Sequence, residues 1–226
     1  MKKFFVFLLA LVMLVSLCAC SLEDDIRGEI STNPTPSTDT TEHTSTEPEF
    51  SLGQTANNTY TSEFLGLSCT LSSDWRFYTD EEILQMNNIS GEFMDEDLKE
   101  ALKNATVIYD MAAINDQTYS NINVNLEKLT VLQAATLDIP AVLKSQFPSI
   151  KTAFANMGYS DITVESTTVT VDGKEFAGAK LTAKINGIDF YQIIFSFQKG
   201  LYMANVSVAC AETDETEAIL GCFRVS

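Results

Sequence analysis

The sequence predicts an α+β domain: a largely antiparallel sheet that ends in a four-strand meander and is flanked by helices. Three observations carry this reading. Asp172-Gly173, Asn186-Gly187 and Lys199-Gly200 punctuate the C-terminal half, and such dipeptides suit tight hairpins because Gly and Asn tolerate positive φ. The runs they separate, 162–171, 175–185, 188–198 and 201–210, have strand length and strand composition. Upstream, Leu143, Phe147, Ile150, Phe154 and Met157 recur at steps of four and three, one apolar stripe along a helix over 139–157.

Each remaining element has its own signal. Residues 67–71 and 106–114 read as strands. Thr79-x-x-Glu82 has the form of a capping box and predicts a helix over 80–88; a second helix is expected over 94–104. In 121–129, Ile122, Val124 and Leu126 alternate with Asn121, Asn123 and Asn125, so the apolar set should face the core and the amides should face outward. Pro148 is expected to kink or split the long helix near residue 147. In the third meander strand Tyr191, Ile193, Phe195 and Phe197 occupy one face, with Phe190 and Ile194 on the other. A strand apolar on both sides needs layers above and below the sheet. Thr213, Asp214 and Glu215 open a last short helix that would dock Ile219, Leu220 and Phe223.

The chain begins with Met1, Lys2 and Lys3, then an apolar run over 4–17. A basic head, an apolar stretch of this length and a small residue before a cut site describe a secretory signal. The run is short for a permanent span, which needs about 20 apolar residues. Leu17-Cys18-Ala19-Cys20 resembles the bacterial lipoprotein signal. The resemblance implies cleavage after Ala19 and a lipid on Cys20, with Cys18 leaving in the signal peptide 1–19. Removing those nineteen residues, Lys2 and Lys3 among them, from a chain of 226 with net charge −17 leaves 207 residues and −19. So acidic a chain lacks the clustered Lys and Arg that nucleic acid requires. It is expected outside the cytoplasm, held to the membrane by its acyl chains. Residues 31–48, "STNPTPSTDTTEHTSTEP", hold no large apolar side chain and cannot bury enough surface to offset their ordering entropy. Residues 20–58 are therefore read as the lipidated Cys and a disordered tether, and 59–226 as one globular domain.

The only histidine, His43, lies in the tether. The domain thus has no Ser-His-Asp or Cys-His machinery and no His-ligated metal site; no metal or cofactor is expected. Cys69, Cys210 and Cys222 are either three buried thiols, the commoner use, or one disulfide and a spare. By sequence distance Cys210 with Cys222 is the candidate pair. The acidic run Asp95, Glu96, Asp97 and Glu100 reads as a helix start rather than an ion site. Trp75 and Tyr78 either close the core or offer an aromatic ligand platform. The row Asn121, Asn123 and Asn125 is either the wet face of a strand or a set of amides for a glycan. Core closure and a wet face are the commoner uses.

The strand leading into Leu71-Ser72-Ser73-Asp74-Trp75, the long helix and the Gly-turn meander together resemble the PsbP-like α/β/α sandwich, a fold shared with bacterial surface lipoproteins. The resemblance implies a non-catalytic interaction module; separately from it, a protein or a cell-wall glycan is the partner class expected for such an anchored domain. The alternative is a carboxylate-based hydrolase of the cell envelope, which needs two carboxylates facing each other in a pocket.

Overall fold

The computed structural model describes residues 50–87, 102 and 105–226. The signal segment, Cys20, His43 and the acidic run Asp95–Glu100 lie outside these residues, as does most of the helix expected over 94–104; Leu102 is helical and buried.

Two antiparallel sheets stack face to face. The larger runs β4 (Trp75–Phe77), β5 (Val107–Asn115), β6 (Asn121–Lys128), β10 (Tyr202–Ala211), β9 (Ile188–Lys199), β8 (Lys174–Ile185) and β7 (Ser160–Val171) in spatial order. The smaller is β1 (Gln54–Ala56), β2 (Thr59–Ser62), β3 (Leu67–Thr70) and β11 (Phe223–Val225). The meander β7 to β10 matches the sequence expectation strand by strand. Asp172 and Gly173 have φ of 51° and 78°, and Asn186 and Gly187 of 52° and 81°. Both central residues of each turn are thus left-handed, as a two-residue hairpin requires.

The core between the sheets explains the alternation on β6. Ile122, Val124 and Leu126 are fully buried against Tyr60, Leu67 and Phe223 of the small sheet, each stabilising the fold by about 1.5–3 kcal/mol. On β9 Ile193 and Phe195 join this core, whereas Phe190 joins a second cluster on the opposite face with Ile150, Phe154 and Leu181. Strand β9 is therefore covered on both sides, as its composition required. Helix α4 (Thr216–Leu220) lies on the small-sheet side, where Leu220 enters the core. Helices α1 (Asp80–Met86) and α3 (Ile139–Asn156) cover the other face, α1 over β5 and α3 over β7 and β8. Of the second sheet beside α4 the sequence marks only β3, within the strand expected over 67–71; the other strands, three or four residues long, are too short for a periodic signal.

Local chemistry sets the helix ends. Thr79 caps α1 with the full reciprocal box: Glu82 N–H donates to Thr79 Oγ1 at 3.2 Å, and Thr79 N–H to Glu82 Oε2 at 2.8 Å. The same device, Thr130 with Gln133, opens the short helix α2 (Val131–Ala135), an element the sequence reading missed. Asp138 caps α3 by accepting from Ala141 N–H at 3.0 Å. Pro148 does not split α3, which runs unbroken from Ile139 to Asn156. The carbonyl that loses its partner belongs to Lys144, and both residues are exposed, on the side of the helix that solvent reaches.

The sequence reading began the domain at Thr59, but Gln54–Ala56 already pair with β2. Gly53 N–H donates to Asp110 Oδ1 at 2.6 Å. Among the described residues no helix is long and apolar enough to cross a membrane.

Candidate functional site

On the helix-bearing face, α1 and α3 stand apart at one end of the large sheet. Between them opens a cavity of about 540 Å³, within the usual size range of small-molecule sites. Its floor is β5 and β6, with Ala112, Ile114, Asn121 and Asn123; Phe190 and Cys210 continue it on β9 and β10. Tyr78 bounds it on the α1 side and Tyr159, just past the end of α3, on the other.

Each wall residue is placed by its element. Tyr78 N–H donates to Ala112 O at 2.9 Å, which extends the β4–β5 pairing by one residue before Thr79 starts α1. The chain leaves α3 through Gly158 at φ 89°, a conformation that needs no Cβ. That turn delivers Tyr159 against Phe154 and Phe190, with ring centroids 4.9 and 5.3 Å apart. Burial pushes the Tyr159 phenol up to about 12 and raises Tyr78 as well, the latter opposed by Arg76. Both are neutral hydrogen-bonding groups on apolar rings at physiological pH.

The mouth is formed by the β5–β6 connection. Asn115 Oδ1 accepts from Gln117 N–H at 2.9 Å and Thr118 N–H at 3.1 Å, an Asx turn that shapes the loop. The turn leaves Tyr119 at φ 58° and half exposed at the rim. A bulky aromatic residue in the left-handed region costs about 1–2 kcal/mol. On the far rim lie Glu212 and Glu215, both exposed.

The amide row reads differently from a wet strand face. Asn123 and Asn125 are buried. Asn123 Nδ2 donates to Asn121 Oδ1 at 3.0 Å, and Asn205 Nδ2 donates to Asn125 Oδ1 at 3.2 Å, while Ser196 Oγ contacts Asn205 Oδ1 at 2.6 Å. Asn121 Nδ2 is buried at the cavity wall with no partner in the protein, an arrangement that costs about 1–3 kcal/mol. The row lies on the face opposite the inter-sheet core, the face that also bears α1 and α3, and its Asn121 end opens into the cavity.

The structure thus brings Tyr78, Asn121 and Asn123 to one cavity. It sets Asn125 deeper in the polar seam and turns Trp75 toward the inter-sheet core, where it is half-buried. Tyr119, Tyr159 and Phe190 were not singled out from sequence. Tyr119 had one usable signal, an aromatic residue in a polar loop between two strands.

The candidate pair Cys210–Cys222 does not meet. Cys210 lies at the cavity, where its Sγ accepts from Glu215 N–H at 3.3 Å and burial raises its thiol pKa. Cys222 lies against Cys69, with the sulfurs 2.7 Å apart. Short sequence distance favoured the wrong partner: α4 carries the chain from β10 across to the small sheet. Among the described residues no group of three or more metal-ligating side chains converges.

No protein-family model matches the chain, and no curated protein matches it. Among solved structures it is similar to a protein of Bacteroides thetaiotaomicron, with 13% identity and a TM-score of 0.41 over 75% of this chain and 48% of that one; this chain thus spans about half of that protein's length. It is also similar to LpqN of Mycobacterium tuberculosis, a protein involved in cell envelope biogenesis, with 12% identity and a TM-score of 0.35 over 69% of this chain and 76% of the other.

Proposed function

We propose that the protein is a non-catalytic binding module of the cell envelope, held outside the cytoplasm by a lipid on Cys20, and that its cavity takes a neutral segment of cell-wall glycan. The observation that carries this reading is Tyr119, an aromatic ring kept at the cavity mouth in a costly backbone conformation. Backbone cost concentrated at the rim of a pocket fits a binding role better than a packing role. A sugar ring offers an apolar face to Tyr119 and hydroxyl or acetamido oxygens to the Asn121 amide. The terminal torsion of Asn121 is soft enough to turn that donor toward a ligand. The exposed Glu212 and Glu215 disfavour an anionic ligand. Anchoring rests on the Leu17-Cys18-Ala19-Cys20 signal, and the PsbP-like resemblance of the sequence also favours binding over catalysis.

The hydrolase reading gains two cavity-lining carboxylates, Glu212 and Glu215. Both are exposed and lie three residues apart on one rim of the cavity, whereas hydrolysis needs two carboxylates that flank the bond from opposite sides. Calorimetric titration of the lipid-free Cys20→Ser protein with an N-acetylglucosamine oligosaccharide tests the binding reading. Saturable binding with no cleavage of the oligosaccharide is expected; the absence of binding at millimolar saccharide would overturn it.

A further inference from the structure

The cysteines offer a conclusion independent of the cavity. Cys69 sits on β3, fully buried in the inter-sheet core, and is the direct register partner of Phe223 on β11. Cys222 immediately precedes that strand, and its carbonyl accepts from Thr70 N–H at 3.2 Å. The backbone therefore holds the two cysteines on adjacent rungs of one antiparallel ladder. Cys222 belongs to the turn before β11 rather than to the strand, so its side chain is free of the strand's alternation and turns toward Cys69. The sulfurs approach to 2.7 Å, inside the contact distance of two unbonded sulfur atoms. The remaining cysteine of the domain, Cys210, is engaged at the cavity with the Glu215 amide.

We infer that Cys69 and Cys222 are joined by a disulfide that fastens the C-terminal strand to the edge of the small sheet. The oxidant is a disulfide of the extracytoplasmic space, either a small-molecule disulfide or a protein thiol oxidase. Cys222 is half-buried whereas Cys69 is fully enclosed, so Cys222 reacts first. Its thiolate attacks one sulfur of the oxidant, forming a mixed disulfide and releasing one thiol. Cys69 then loses its proton and attacks the Cys222 sulfur, releasing the second thiol. Two protein thiols become one disulfide, and the oxidant leaves as two thiols carrying both protons. The link closes a loop between residues 153 apart in sequence, long enough to restrict the unfolded chain strongly. It rests on the extracytoplasmic part of the functional reading, but not on the ligand.

Peptide mapping of the full chain tests this. Intact cells are quenched in acid, free thiols are blocked with N-ethylmaleimide, and the digest is read without reductant. A peptide pair linked through Cys69 and Cys222, with Cys210 alkylated, is expected. The purified protein equilibrated with oxidised glutathione is mapped in parallel. Three alkylated cysteines in both samples, or a link through Cys210, overturn the inference at the geometry. A link in the purified protein but not in cells overturns it at the location. Reductant should lower the Tm of the wild type by roughly 5–15 °C and leave that of Cys222→Ser unchanged; an equal response from both proteins counts against the link.

Discussion

Tyr60 on the small sheet donates its phenol proton to Asp110 Oδ2 on the large sheet across 2.5 Å of buried interior. Asp110 reaches that position because β5 is irregular there: Tyr109 pairs with Asn125 and Met111 with Val124, so Asp110 is the extra residue of a β-bulge. Its other oxygen accepts from Gly53 N–H at 2.6 Å. One carboxyl thus ties together both sheets and the entry of the chain.

Asp110→Ala would strand the Tyr60 hydroxyl and the Gly53 amide in the interior. A loss of about 2–4 kcal/mol is expected, read from urea unfolding. Burial raises the Asp110 pKa despite its two donors. A raised carboxyl binds its proton more tightly in the folded state, so its contribution is full below the ordinary value of about 4 and falls as pH rises through the folded one. The gap between wild type and Asp110→Ala should be widest in acid and narrow above it. A gap that grows with pH would contradict this assignment.

Pro148 is exposed within α3 and contributes no core packing. Pro148→Ala restores the missing backbone hydrogen bond and should stabilise the domain by about 1–3 kcal/mol. A lower Tm for this variant would contradict that reading.

Much of this architecture was legible because local chemistry and final structure agree. Asp172-Gly173 and Asn186-Gly187 dictate their turns whatever surrounds them, and Thr79 with Glu82 writes its own helix start. The Ile122, Val124 and Leu126 alternation found the correct face of β6. It could not say what lies over the other face, where Asn123 and Asn125 are buried. Of the small sheet only β3 was legible, for a related reason. β1 and β11 span three residues each, and their pairing depends on contacts far along the chain, as does the approach of Cys69 to Cys222. The cavity is likewise a tertiary product: Tyr78, Tyr119 and Tyr159 meet there from three separate connections. Helix α2 could have been found, since Thr130 and Gln133 repeat the capping spacing of Thr79 and Glu82.

Tyr119 should show a trade between stability and function. Tyr119→Asn places a residue tolerant of positive φ in the same turn. Stability is expected to hold or rise by up to about 1 kcal/mol. Affinity for the saccharide should fall about tenfold, the equivalent of one lost ring contact. Full affinity in this variant would remove Tyr119 from the site.

The proposed anchor on Cys20 is separable from folding. Cys20→Ser should move the protein from the membrane fraction to the soluble fraction while leaving its thermal melt unchanged, because acyl chains supply about 0.8 kcal/mol per buried CH₂ and the acidic chain gives anionic lipid no purchase. Retention of Cys20→Ser in washed membranes would contradict lipid attachment at that sulfur.

The site itself is best tested by following side-chain amides in solution. In ¹⁵N-labelled Cys20→Ser protein, the Asn121 and Asn123 amide resonances should shift saturably as an N-acetylglucosamine oligosaccharide is added, with Tyr119 and Phe190 responding alongside them. Asn121→Leu should abolish the shifts at the same concentrations. Unmoved Asn121 and Asn123 signals at millimolar saccharide, or shifts confined to a surface away from this cavity, would contradict the glycan-binding role.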